Sequence, residues 1–315
     1  MAGDLPHGSR AVRLSTSRAE PSAPSDGTIL DRFSPEALFV IGGISQYAGA
    51  VIAVGMFDEV RPATVAWARV LAAGLVLLGC SWRRREPWTR ERVRAATVFG
   101  IATALMNLCF YLAIDRVALG KSVVIEFIGP IAVAAAFTRT TRNTIALALA
   151  TVGVVVLSGV EIGGEPLGLA FIFAASAMWA AYIVLGRRVA AQGQSLAGLG
   201  LGLTIGAVAI TPFGAPHSAR LFTHPSLLIA AFVVGMLSNA IGYSIDQNVM
   251  RRIPVRRFAL LLALLPVTAM VVGFLALDQR PSAFDLVGAA LVIAGVAIQE
   301  RDSIETEDTV IASSQ

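Results

Sequence analysis

Between Pro35 and Glu300 the chain alternates apolar runs of roughly 20 residues with short polar breaks. A helix of that length spans a hydrocarbon core about 30 Å thick. The pattern predicts an all-α integral membrane protein with ten transmembrane helices, over 37–56, 62–82, 95–114, 119–137, 143–160, 167–186, 196–213, 226–245, 257–277 and 283–300. Most breaks are too short for anything but antiparallel hairpins between neighbouring helices. Residues 1–34 are polar, rich in Ser, Pro and Arg, and lack an apolar run long enough for a signal-peptide core. They and residues 301–315 are expected to be disordered tails.

Composition agrees with the pattern. Apolar residues make up 56% of the chain and charged ones only 15%, where a soluble domain keeps about a quarter charged. Mean hydropathy is +0.71. Cys80 and Cys109 lie within apolar runs and form neither a CxxC nor a secreted disulfide pattern, so they read as small packing residues.

The excess of positive charge is distributed by side. Loops after the second, fourth, sixth and eighth runs hold fourteen arginines, whereas those after the odd runs hold five basic residues, among them Lys121, the only lysine. Positive charge gathers on the cytoplasmic side. Both termini are therefore expected in the cytoplasm, as an even helix count requires. The basic balance is membrane topology and does not point to nucleic acid.

A weak internal repeat relates the two parts of the chain. Asn107–Ala135 resembles Tyr243–Val271 at a shift of 136 residues, which places Pro130 on Pro266 and Arg116 on Arg252. Five runs separate the copies, so the second copy, expected over 161–300, must be inverted relative to the first, over 35–160. Pro130 and Pro266 fall near mid-span and are expected to break or loosen their helices, which is tolerated against protein or a cavity.

Ten helices, the repeat, and the segment Asn107–Pro130 with its Glu126-Phe127-Ile128-Gly129-Pro130 resemble the drug/metabolite transporter superfamily. Within it the chain looks like the EamA-type branch that includes threonine and homoserine exporters. The run Met178-Trp179-Ala180-Ala181-Tyr182-Ile183 and Arg69 are similar to that branch too. The resemblance covers residues 36–300. It implies a secondary exporter of small amino acids in the bacterial cytoplasmic membrane, driven by proton exchange with alternating access between two five-helix halves. Exporters of this type commonly carry Glu just before the ninth-helix proline, where this chain has Leu265, and many have Lys where Val54 falls. Another small metabolite, such as a nucleobase or a toxic analogue, is the alternative cargo.

Charged side chains inside a bilayer are costly and usually face a cavity or a partner. Glu126, in line with Ser122 and Pro130, is expected either to bind a solute ammonium and exchange a proton, or to pair permanently with Arg69. Arg69 either holds a solute carboxylate or serves as that partner. Thr103, Asn107 and Tyr111 form one polar stripe at helical spacing; Gly235, Asn239, Gly242, Tyr243 and Asp246 form another. From these, Asn107, Tyr111, Asn239 and Tyr243 are candidate cavity residues, together with Trp179 and Tyr182; polar stripes also hold helices together. Gln46, between Gly42 and Gly49, reads as helix contact.

Gly120-Lys121-Ser122 lacks the first glycine of a phosphate loop and follows no strand, and Gly198, Gly200 and Gly202 lie in an apolar run, so neither indicates a nucleotide. No HExxH or GxSxG occurs, and His7, His217 and His224 lie in a tail or an outer loop. No catalytic residue, metal or cofactor is expected, and neither an enzyme nor a sensor. The expected partners are a small solute, protons, the lipid bilayer and a second copy of the chain as a homodimer.

Overall fold

The computed structural model describes residues 29–84, 88–117, 122, 125–157, 165–191, 195–277 and 281–299. Most of both expected tails and, within the expected 119–137 helix, residues 119–121, 123 and 124, which include the Gly120-Lys121 pair, lie outside the described residues. Inside the stretch expected to be a tail, Ile29–Arg32 form a 3₁₀ turn ahead of the first helix.

Helices α1 (Pro35–Gly55), α2 (Pro62–Ser81) and α3 (Arg90–Ile114) follow in order. The short α4 (Ile128–Ala136) and α5 (Thr141–Leu157) come next. Then come α6 (Pro166–Ala191), α7 (Ser195–Gly214) and α8 (Pro225–Arg252). The chain closes with α9 (Val255–Leu261), α10 (Leu264–Leu277) and α11 (Ala283–Ile298). Proline opens α1, α2, α6 and α8, where a missing N–H costs nothing. Ser34 and Thr89 cap α1 and α3 by accepting from the backbone three residues on, each at 3.2 Å.

Six helices among the described residues are long and apolar enough to cross a membrane, and α5 and α11 are shorter apolar helices. Outward faces carry large apolar side chains, among them Ile44, Leu75, Val208, Phe213 and Phe232, while Thr64, Arg69, Asn107, Asp246 and Gln247 are buried. Apolar outside with polar inside is the arrangement a lipid solvent favours.

Two expected helices are broken. Ile125 and Glu126 are helical, Phe127 is a turn, and α4 starts at Ile128; likewise Leu262 and Ala263 are turns and α10 starts at Leu264. Pro130 and Pro266 are each the third residue after the break. Their rings sit in a first turn, where no N–H is needed, and the carbonyl four residues back receives no helical bond. The prolines thus act as helix starts, not as mid-helix kinks.

Helix packing relies on small residues. A Cβ on Gly100 of α3 would lie 1.8 Å from the Gly202 carbonyl oxygen of α7, and one on Gly129 of α4 would lie 2.1 Å from the Ser176 carbonyl oxygen of α6. Helices α2 and α7 run antiparallel: the Thr64 hydroxyl donates to Gly214 O at 2.8 Å, while at the other end a Cβ on Gly200 would lie 2.5 Å from Leu78 N. Helices α5 and α11 pack in the same antiparallel manner, with Gly153 against Gly288 and Gly295 against Ala146.

Candidate functional site

A cavity of about 190 Å³ lies among α1, α2, α3, α6, α8 and the two helix breaks. Seven of the candidate residues line it: Arg69, Asn107, Tyr111, Glu126, Trp179, Tyr182 and Tyr243. The breaks contribute Glu126 and Phe127 from one side, Leu262 and Leu265 from the other. Interrupted helices place polar backbone and side chains at a cavity without exposing them to lipid.

Arg69 is held in place by α3 and α8. Its Nε donates to Asn239 Oδ1 at 2.6 Å and its Nη1 donates to the Tyr111 hydroxyl, with the guanidinium 5.2 Å from the Tyr111 ring centroid. Asn239 itself is fully buried behind this contact and does not line the cavity. No direct Arg69–Glu126 pair is formed: among the described residues, the Glu126 carboxylate has neither a hydrogen bond nor an ion pair within 4 Å, and Arg69 acts on it only through space. With two of five N–H donors committed, Arg69 keeps donors for the cavity it lines.

Asn107 donates from Nδ2 to Thr103 O at 2.8 Å and to the Tyr243 hydroxyl at 3.0 Å. Thr103 turns its hydroxyl back to Phe99 O and leaves the cavity wall to Asn107 and Tyr111. The second polar stripe is split by a π-helical segment, Gly235–Ile241, within α8. A wider turn rotates successive residues off one face, so Gly235 and Asn239 meet α2, Gly242 meets Gln46 of α1, and Tyr243 and Asp246 face the cavity.

Asp246 is the principal residue that sequence pattern left off the cavity list. It lines the cavity at 5% exposure and its Oδ2 accepts from the Tyr182 hydroxyl at 2.8 Å. The expected span stops at 245, just before the polar run Asp246-Gln247-Asn248, yet all three are buried and the helix continues to Arg252. The available signal was the i+3 spacing from Tyr243. Gln46, expected as helix contact, both packs on Gly242 and lines the cavity, and Tyr47 and Ser238 also line it. Val54 and Leu265, the two departures from the exporter pattern, both line the cavity.

Comparison with known proteins agrees with this architecture. The EamA-like transporter family matches residues 166–299. The threonine/homoserine exporter RhtA of Salmonella typhimurium (strain SL1344) is 30% identical over 269 residues, covering 82% of this chain and 89% of that protein. RhtA of Escherichia coli (strain K12) is 30% identical over 265 residues with the same coverage. The uncharacterized inner membrane transporter YicL of S. typhimurium (strain LT2) is 23% identical over 252 residues. A solved crystal structure superposes with a TM-score of 0.67 at 19% identity over 84% of this chain and 95% of that one, a likeness of fold.

Proposed function

Since the chain belongs to the EamA-like transporter family, a family of multi-pass transporters and not of enzymes, we propose that it is a proton-coupled exporter of threonine- or homoserine-like amino acids. The observation that carries this reading is the cavity, which one guanidinium and two carboxylates line together inside a largely apolar bundle. Charges are costly at that depth and are retained where they meet a solute or ion. The volume of about 190 Å³ is below the range of roughly 300–1,000 Å³ typical of drug-sized pockets, in keeping with a small amino acid.

The transport cycle alternates access between two five-helix halves related by an in-plane pseudo-two-fold. Support comes from pairs of contacts that a shift of 136 residues maps onto one another. Thr64–Gly214 and Leu78–Gly200 are one contact seen twice, since Thr64 corresponds to Gly200 and Leu78 to Gly214. The breaks correspond as well, with α4 and α10 both starting two residues before their prolines. With the arginine-rich loops inside, Val54, Phe57 and Ile114 mark the outer end of the cavity, so this conformation faces outward. Closure on the inner side is made by Phe39 against Phe258, ring centroids 5.1 Å apart, by the Glu36–Arg257 ion pair, and by Arg252 donating to Phe33 O at 2.8 Å.

The test is efflux of labelled threonine and homoserine from preloaded cells expressing the chain. Efflux is expected to exceed that of cells without it and to collapse with a protonophore while ATP is held. Efflux that follows ATP and ignores the proton gradient would rule out this mechanism.

A further inference from the structure

We propose that Asp246 is the anchor for the solute's ammonium group, which gives the second half of the chain a cation subsite separate from the Arg69 wall; this rests on the cavity being the transport site. Its carboxylate accepts one hydrogen bond from Tyr182 and, among the described residues, pairs with no cation. An ionised carboxylate has about four lone-pair sites, so most of its accepting capacity is unused. Arg69, the cation on the cavity wall, directs its recorded donors to Asn239 and Tyr111 instead.

Aromatic side chains share the cavity wall with this anion. The Tyr182 and Tyr243 rings lie 5.3 Å apart and inclined at 46°, and Tyr182 is backed by Phe99 at 5.3 Å. Trp179, one turn earlier on α6, lines the same cavity. A positioned carboxylate beside aromatic faces recognises a primary ammonium, through charge-assisted N–H···O bonds and attraction to the ring quadrupoles. The titratable or charged groups that share the cavity wall with Asp246 are Tyr182, Tyr243, Tyr47, Tyr111, Glu126 and Arg69.

The two acids differ in how they are held. Tyr182 fixes Asp246 at 5% exposure, whereas Glu126 has no such donor and sits directly before the break at Phe127. A fixed carboxylate presents its charge in one place; an unheld one beside a helix break is free to move and to exchange a proton. Asp246 therefore binds and Glu126 couples.

Binding to the purified full chain separates the possibilities, with threonine, homoserine, 1-amino-2-propanol (no carboxylate) and N-acetylthreonine (no ammonium) as probes. Wild-type protein is expected to bind the amines and to reject N-acetylthreonine. Asp246→Asn, which keeps an oxygen for Tyr182, should weaken amine binding by about tenfold or more, and Asp246→Glu should recover most of it. Tyr182→Phe keeps the ring and the charge but frees the carboxylate, and should weaken binding about threefold to tenfold. A folded Asp246→Asn protein with wild-type affinity for threonine overturns the proposal. Should that variant not fold, wild-type amine affinity in Tyr182→Phe overturns it instead. Wild-type protein that takes N-acetylthreonine as well as threonine overturns it whatever the variants do. Binding of 1-amino-2-propanol without threonine or homoserine would end the amino-acid export reading and leave the ammonium subsite in place.

Discussion

Asn107 and Tyr243 are hydrogen-bonded to each other at 3.0 Å, and they stand 136 positions apart, the same offset that aligns Pro130 with Pro266. Under a two-fold relation, equivalent residues touch one another only at the axis. The proposed axis between halves would therefore pass through the cavity wall, where both residues lie. A solute bound there would contact both halves at once, as alternating access requires.

That contact should be measurable. Asn107→Ala and Tyr243→Phe are each expected to cost about 1 kcal/mol of stability, with a coupling of roughly 0.6 kcal/mol in the double variant. Thermal unfolding in detergent gives all four corners of the cycle. Fully additive losses would mean that the hydrogen bond contributes nothing to holding the halves together.

Glu126→Gln keeps volume and hydrogen-bonding capacity but removes the charge and the exchangeable acid proton. Because no ion pair to Arg69 is broken, the variant should fold and melt as the wild type does. Gradient-driven export should fall by more than about tenfold, since a side chain that cannot release a proton cannot couple export to the gradient. Wild-type export across pH by the folded variant would remove Glu126 from the mechanism.

Two glycines give opposite expectations for the same substitution. Gly100→Ala drives a methyl to 1.8 Å from Gly202 O, so α3 and α7 must separate; a cost of about 1–3 kcal/mol or more and a low yield are expected. Gly79→Ala meets nothing within 4 Å and gains helix propensity of up to about 1 kcal/mol. Expression level and melting temperature of the two variants check this contrast, and a Gly100→Ala protein as stable as Gly79→Ala would contradict the close α3–α7 approach.

Topology is open to labelling. With Cys80 and Cys109 replaced by Ala, a cysteine at Arg84 or Arg251 should react only from the cytoplasm, and one at Arg220 only from outside. Arg220, exposed and 2.9 Å from Glu59, is accessible to such a reagent. Reaction of all three positions from one side would end the proposed inverted halves.

The sequence by itself determined that this is a multi-pass membrane protein of the EamA kind and placed Arg69 and Glu126 within its apolar runs. Those properties are local: a run's hydropathy and length are complete within about twenty residues. Seven of the cavity residues were legible for a related reason, since a polar group in an apolar helix must turn inward. Only the tertiary structure decided which neighbour each one meets. Arg69 has two courses open in sequence, Glu126 or a solute, and the fold directs it to Asn239 and Tyr111, which arrive from α8 and α3. Asp246 falls just past the expected span because hydropathy measures affinity for lipid, while this residue is solvated by Tyr182 from another helix. The π-helical turn at Gly235–Ile241 and the breaks at Phe127 and Leu262 likewise depend on what packs around them, for backbone groups that leave the helical pattern inside a membrane are affordable only where a neighbouring segment or a cavity receives them.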